Sequence, residues 1–377
     1  SGGRAQDAEF GESGTLAKAK TVGRNITIFL GTFPLDPNEH YDTIIVNGST
    51  AGIDISNNIN INLTIKVVEG SINVNNNGNI TFIEETNLSG ISSESKITNN
   101  GHILFPNKTL VIPDNLAFIN NGSISIPNNI LKINGTWEIG NNLLNESTII
   151  VQDSGIINMT KTAIDRNFSL NISTVNLTIR AGGRIEAIGT GYLGVVDAIG
   201  GGPGGGGIAT YDGGGGGHGG AGGNGIDSSA GGQPYGSTTQ PTDMGSAGGS
   251  DPASDSAGGS GGGIIFIKVN NTLIVNGSIW SKGTDGHDNP PGGAGGGAGG
   301  SIWIITDTFR GVGDINASGG NASYVNGGSG GGGGAGGRVA VYYQTRTFTG
   351  ILNASGGIAK DADDGGNGTV FDHYLPK

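Results

Sequence analysis

The sequence predicts an all-β chain. It reads as a parallel β-helix, or β-solenoid, with a glycine-rich, polyglycine-II-like layer of loops and an extended arm at the N-terminus. Three observations lead there. Short β-branched strands recur behind Asn-Gly turns, and two strand classes in the second half repeat with one shared pitch. No segment carries the 3.6-residue apolar period of a helix.

Residues 1–43 form the arm. "SGGRAQDAEFGESGTLAKAK" is polar, "TVGRNITIFLGTF" alternates as a strand does, and "PLDPNEHYD" is a Pro/Asp-rich linker. The strand "RNITIFL" has no evident partner in the repeat that follows, which makes it either a candidate donor strand for a neighbouring subunit or, if the arm folds back, a cap on its own solenoid.

Residues 44–180 form an Asn/Ile-rich solenoid. "NNGNITF" starts at Asn76, "NNGHILF" at Asn99, "NNGSISI" at Asn120 and "INGTWEI" at Ile133. Asn-Gly supplies the positive φ of a tight turn, and Ile, Thr and Phe supply strand propensity. The first three copies are spaced like the coils of a small solenoid.

Residues 181–377 keep the strands and swell the connections with glycine. Ile279, Ile315 and Ile351 recur 36 residues apart, 279 to 315 and 315 to 351. A second class, "GGIIFIKV", "GSIWIITD" and "GRVAVYYQ", recurs with a similar pitch, and "GTVFDHY" closes the series. Stacked coils would bury a continuous apolar column that one coil could not bury alone. The run "GGAGGGAGGSIWIITDTF" from Gly292 shows the difficulty of the design, because glycine loses the most freedom on ordering. Glycine excursions that pack side by side, bonding N–H to C=O between polyproline-II-like segments, satisfy it.

Of the 377 residues 78 are Gly, and charged residues make up only 13%. A net charge of −12, with 19 Lys and Arg in no basic stripe, argues against nucleic acid as a partner. The absence of Cys removes disulfides and thiolate chemistry. No apolar stretch is long enough for a membrane span. A start at Ser1 rather than Met is what a processed, secreted chain would show.

The segment carrying "PYGSTTQPTDMGSAGGS", "GGSGGGIIFIKVNNTLIVNGSIWSKG", "GGAGGGAGGSIWIITDTF" and "GGSGGGGGAGGRVAVYY", roughly residues 180–357, resembles the glycine-rich repeat modules of large bacterial and archaeal cell-surface proteins of adhesin or fibre type. The resemblance implies an extracellular structural or adhesive role and carries no catalytic residues with it.

The strongest local motif is the N-x-[ST] sequon, the acceptor of N-glycans. It occurs at Asn25, Asn47, Asn62, Asn79, Asn87, Asn107, Asn121, Asn134, Asn145, Asn158, Asn167, Asn171, Asn176, Asn270, Asn276, Asn316, Asn321, Asn353 and Asn367. Asn-Gly-Ser/Thr turns create the sequons at Asn47, Asn121, Asn134, Asn276 and Asn367 automatically, but not the rest. Glycans would also keep a charge-poor surface soluble.

Other motifs are thin. Asp361, Asp363 and Asn367 alternate around a glycine turn as calcium ligands do, without the bidentate Glu such loops use. "GGNGID", Gly222 to Asp227, is a single copy of a calcium-binding nonapeptide. His40, His102, His218, His287 and His373 lack metal-site spacing and read as exposed or loop residues. The carboxylate pairs Glu84–Glu85 and Asp363–Asp364 point to opposite faces if on strands. No cofactor and no catalytic residue is expected.

The function expected is a secreted, N-glycosylated structural subunit of a cell-surface filament or sheath, joined non-covalently to identical subunits by strand addition. One alternative is a surface adhesin or carbohydrate-binding module using Trp280, Trp303, Tyr342 and Tyr343 to meet surface glycans. A second is a β-helix polysaccharide lyase or hydrolase, for which Lys and Arg are too sparse.

Overall fold

In the computed structural model every element of the described residues is a β-strand, and parallel pairing dominates. The structure describes residues 148–159, 169–287, 292–324 and 330–376 with their side chains. Elsewhere it describes the backbone of the strands and the side chains of Thr27, Ile44, Ile45, Ile97, Thr98, Asn99, Ala117, Phe118 and Ile119. The chain divides into two compact units, Ser1–Asn158 with Thr174–Gly183, and Met159–Ser173 with Arg184–Lys377.

The first unit opens with an antiparallel meander. Gln6–Glu12 pairs with Thr15–Val22, which pairs with Asn25–Pro34. Asn25–Pro34 then pairs in parallel with His40–Ile55. The strand expected to seek a partner outside the chain is therefore occupied on both edges within it. Beyond it, His40–Ile55 and Asn58–Val74 pair in parallel.

The Asn-Gly repeats then stack in register. Ile80, Ile103 and Ile124 align at separations set by the turns. The strand before each turn forms its own ladder, Ile72 to Ile97 to Phe118. The fourth copy departs from the expectation. Thr136–Ile139 joins this second ladder, with Trp137 opposite Phe118, rather than the ladder of Ile124. Ile97 and Phe118 are buried, as the alternation of a half-buried strand requires.

In the second unit two parallel ladders carry the core. The long strands are Ile264–Val275, Ser301–Gly311, Arg338–Phe348 and Thr369–Tyr374, paired in that order. The short strands are Arg184–Glu186, Ser278–Trp280, Asp314–Asn316 and Ile351–Asn353. Ile265, Ile302 and Val339 align in one buried column, and Ile267, Ile304 and Val341 in the next.

The register corrects the sequence pitch by one residue. Ile279 faces Ile315, but Ile315 faces Leu352, and Ile351 is 63% exposed. The long strands pair at a step of one more residue than the first short-strand step, Ser301 against Ile264 but Asp314 against Ser278. A register shift between Val269 and Thr272 absorbs the difference and pushes Asn270 and Asn271 out into solvent. In the last long strand Asp372 takes the place of Ile267, Ile304 and Val341, and it pairs with Arg346. The apolar column ends there.

Between strands the glycine excursions contain buried runs, at 212–218, 244–251, 292–300 and 330–337. Their N–H groups turn through three neighbours with a period of three. Gly213 and Gly216 donate to Gly293 and Gly296 at 3.0 and 2.9 Å. Gly214 and Gly217 donate to Gly207 and Gly204 at 2.9 and 2.7 Å, while Gly215 and His218 donate to Gly223 and Gly220 at 2.9 and 3.1 Å. The next excursion repeats the scheme: Gly295 and Ala298 donate to Gly249 and Ser246, Gly296 and Gly299 to Gly332 and Ala335, Gly297 and Gly300 to Thr284 and Ser281.

Candidate functional site

Ionisable side chains are scarce in this layer, so the ones that enter it stand out. His218 interrupts a glycine run and is fully buried, a loop contact rather than an exposed histidine. Its Nδ1 lies 2.7 Å from the carbonyl oxygen of Gly299. A carbonyl only accepts, so the neutral ring carries its proton on Nδ1. Nε2 is left as a buried acceptor with no partner among the described residues. Burial pushes the imidazole down to about 4; the Gly299 carbonyl opposes the shift, and the Arg338 guanidinium adds to it.

Arg338 reaches the same place because it opens the long strand Arg338–Phe348, where the glycine excursion ending at Gly337 returns to the ladder. Its Nε and Nη2 donate to the Tyr235 carbonyl at 2.9 and 2.7 Å, and Nη1 donates to Thr369 Oγ1 at 3.1 Å. The Tyr235 ring lies 4.9 Å from the His218 ring. Its hydroxyl donates to the Met244 carbonyl and lies 2.8 Å from Ser246 Oγ. Burial raises the phenol well above its ordinary value, with the Ser246 bond working against that. Burial likewise lowers Arg338. The cluster ties segments 218, 235 and 244–246 to the head of a core strand, and its imidazole and guanidinium are closed to solvent.

The other residues singled out in the sequence are spread over the surface. Asp361 is exposed, with a left-handed φ of 64°. Asp363 Oδ2 accepts from Asn224 Nδ2 at 2.9 Å, and Asn367 Oδ1 accepts from the Gly356 N–H at 3.1 Å. Asn224, the centre of the "GGNGID" segment, also accepts from the Gly231 N–H. These side chains are used in joining turns. His287 and His373 are exposed, while the side chains of His40 and His102, and Glu84–Glu85, lie outside the described residues. Among the described residues no three His, Asp or Glu groups converge as a metal site, and no helix is long and apolar enough to cross a membrane.

The aromatics are half-buried. Trp280 donates from Nε1 to Asp314 Oδ2 at 2.7 Å, and Lys282 Nζ stands 4.0 Å from its ring centroid. Trp303 packs on Phe266 at 4.8 Å, Tyr342 on Phe371 at 5.6 Å, and Tyr343 on Phe309 at 6.4 Å.

The sequons divide by environment. Asn270, Asn276, Asn321 and Asn367 are exposed; Asn158, Asn171, Asn176, Asn316 and Asn353 are half-buried. The side chains of Asn25, Asn47, Asn62, Asn79, Asn87, Asn107, Asn121, Asn134, Asn145 and Asn167 lie outside the described residues.

Comparison with protein-family models, with curated proteins and with solved structures finds no match.

Proposed function

We propose that the chain is a secreted, N-glycosylated structural protein of the cell surface, a β-solenoid whose coils are braced by a polyglycine-II-like layer, and that identical subunits join end to end. The observation that carries this reading is the period of three in the glycine bonds. Three residues per turn is the repeat of a polyproline-II helix, and such helices bond only to neighbours, never internally. A layer of this kind is a brace. It presents backbone to backbone and leaves little room for side chains that do chemistry.

The ends of the ladders favour assembly. Ile351, Ile358, Val370 and Tyr374 are exposed on the last coil, whereas Ile265, Ile302 and Val339, the counterparts of Val370 along the ladder, are buried within the stack. Among the described residues, Thr369–Tyr374 and Ile351–Asn353 each pair on one edge only. An unpaired parallel edge beside exposed apolar groups accepts another strand, and a head-to-tail contact of this type grows into a filament. Because Asn25–Pro34 is already paired on both edges, strand addition falls to these terminal edges rather than to that strand. The charge of Asp372 would restrict which surface can stack there.

Electron microscopy of the purified full chain tests the proposal. Filaments are expected, and the double variant Ile351→Lys, Val370→Lys should yield dispersed particles of unchanged fold. Particles that stay single at high concentration in the unaltered chain would refute end-to-end assembly.

A further inference from the structure

We propose that Asn270 and Asn276 carry glycans in the glycine-rich half, and that the sequons at Asn171, Asn316 and Asn353 belong to the fold and stay unmodified. This rests on the reading of the chain as a secreted glycoprotein. An N-linked sugar replaces one hydrogen of the side-chain amide with a bulky polar group, so its acceptor needs an Nδ2 that faces solvent and is not spent as a donor.

Asn316 and Asn353 fail that requirement. They occupy equivalent positions, Trp280 to Asn316 to Asn353, in consecutive short strands. Each begins the same tripeptide, Asn-Ala-Ser, and in each the Asn Oδ1 accepts from the N–H of the Ser two residues on, at 2.8 Å for Ser318 and 3.0 Å for Ser355. That is an Asx-turn, in which the side chain imitates a backbone turn. The sequon is here a by-product of the turn. Asn353 Nδ2 also donates to Asn316 Oδ1 at 3.4 Å and to Ser355 Oγ at 3.3 Å, so both its hydrogens are directed at protein. Asn316 is half-buried in the ladder between Trp280 and Asn353, and its Oδ1 takes a second hydrogen bond from Asn353 Nδ2, so its amide is fixed within the ladder rather than facing solvent. Asn171 is closed because its Nδ2 is spent as a donor, to Ser169 Oγ at 2.8 Å and to the Ser169 carbonyl at 3.5 Å.

Asn270 and Asn276 meet the requirement. Asn270 stands in the bulge where the long strand slips register, pushed out of the ladder with Asn271. Asn276 is in the turn after Val275, exposed, while the backbone around it is pinned: the Val275 carbonyl accepts from Gly313 at 2.9 Å and the Gly277 carbonyl from Asp314 at 3.0 Å. One coil further on, at the corresponding turn position, stands Val312, an apolar side chain 69% exposed. Neighbouring strands lie about 4.8 Å apart, so the first sugar at Asn276 would reach across that valine and cover it. At Asn321 and Asn367 the Oδ1 accepts from Ile358 and Gly356, a role that modification of Nδ2 leaves intact, so these two remain open acceptors.

The test is glycopeptide mapping by mass spectrometry of the full chain taken from its native source, with occupancy scored at each asparagine. Glycan at Asn270 and Asn276, and none at Asn171, Asn316 and Asn353, is the expected result. Sugar on any of the last three overturns the placement while leaving the glycoprotein reading standing. Unmodified Asn270 and Asn276 in a chain glycosylated elsewhere overturn it equally. A chain with no glycan at all overturns both. A second measurement separates the two roles: Asn276→Gln should remove mass from the native chain without moving Tm, whereas Asn353→Gln should lower Tm with no change in mass beyond the substitution. An unchanged Tm for Asn353→Gln would refute its part in the fold.

Discussion

Gly217→Ala probes the glycine layer at a point where two carbonyl oxygens converge on one glycine. A Cβ built there falls 2.5 Å from the carbonyl oxygens of both Gln233 and Gly232, and 2.6 Å from the Gly232 carbonyl carbon. Side-chain carbons do not approach carbonyl oxygens within about 3 Å, so segment 232–233 must retreat by half an ångström or more. Forcing a methyl into a packed interior costs roughly 1–3 kcal/mol. The retreat also strains the bonds that segment makes, Gly232 N–H to Gly215 and Gly222 N–H to Gly232, at 2.9 and 2.8 Å. A buried backbone group left unpaired costs about 1–3 kcal/mol. Alanine's smaller unfolded-state entropy returns roughly 0.4–1 kcal/mol. The net expectation is a loss of about 1–5 kcal/mol, centred near 3 kcal/mol. Gly207→Ala is the control, in the same layer but with its nearest neighbours, Ala230 N and O, at 3.1 and 3.2 Å; it should cost about 1 kcal/mol or less. Calorimetry and amide exchange read both variants. Protection in 204–233 that survives Gly217→Ala, with an unchanged Tm, would show that the segments are not packed against one another and would refute the reasoning.

Stability should fall with acid in a window that His218 defines. The folded state holds the ring neutral down to about 4, against about 6.5 when unfolded, so between those values the unfolded chain binds the extra proton and stability rises with pH. On the order of 3 kcal/mol is lost from pH 7 to pH 4, and Tm measured across that range for His218→Gln should lack this component. Replacing Arg338 with Met strands the Tyr235 carbonyl and should cost about 2–4 kcal/mol by chemical denaturation. Arg338→Lys should recover only part of that, because an ammonium cannot reproduce the forked contact at 2.9 and 2.7 Å. Ile315→Ala empties a fully buried site between Ile279 and Leu352 and should cost about 2–5 kcal/mol. Ile351→Ala, at an exposed neighbour, should stay within about 0.5 kcal/mol in the dispersed chain, and equal losses would mean the register is wrong.

Periodicity made the parallel ladders legible. Asn-Gly turns recur where Ile80, Ile103 and Ile124 align, and the isoleucine spacing found the short-strand ladder. Subtraction could not tell Ile351 from Leu352, because adjacent residues of a strand face opposite ways and both are apolar. The bulge at Asn270–Asn271 shifts the count by one and leaves no compositional trace apart from two polar residues in an apolar run. His218 was illegible for a different reason. Its partners, Gly299, Tyr235 and Arg338, are distant in sequence, and two of the contacts are to carbonyls that any residue supplies. A bulky ring inside a glycine run was the one available sign, since a layer so tightly packed admits a side chain only where a niche is built for it. The sequons were legible as a motif but not as acceptors, because Asn-Ala-Ser spells an Asx-turn as readily as a glycosylation site.

The glycine layer and the strand ladders depend on one another for a reason that follows from energies. Ordering a glycine costs about 0.5–1 kcal/mol more than ordering an alanine, and a backbone hydrogen bond contributes a net of about 1 kcal/mol. An isolated layer is therefore close to balance. It is held because each excursion is fastened at both ends to a buried strand, as residues 281–300 are fastened between Trp280 and Ser301, whose columns supply the apolar burial. The layer gives rigidity in return. Segment 294–300 is bonded in three directions at once, so no excursion can move without breaking contacts to several others. Alanine is admitted within the same segments at Ala294, Ala298 and Ala335, all fully buried. Local opening of one excursion should thus be as costly as opening the coil that bears it. Amide protection in 293–299 and in Ser301–Gly311 should then be lost together on heating, rather than the layer first.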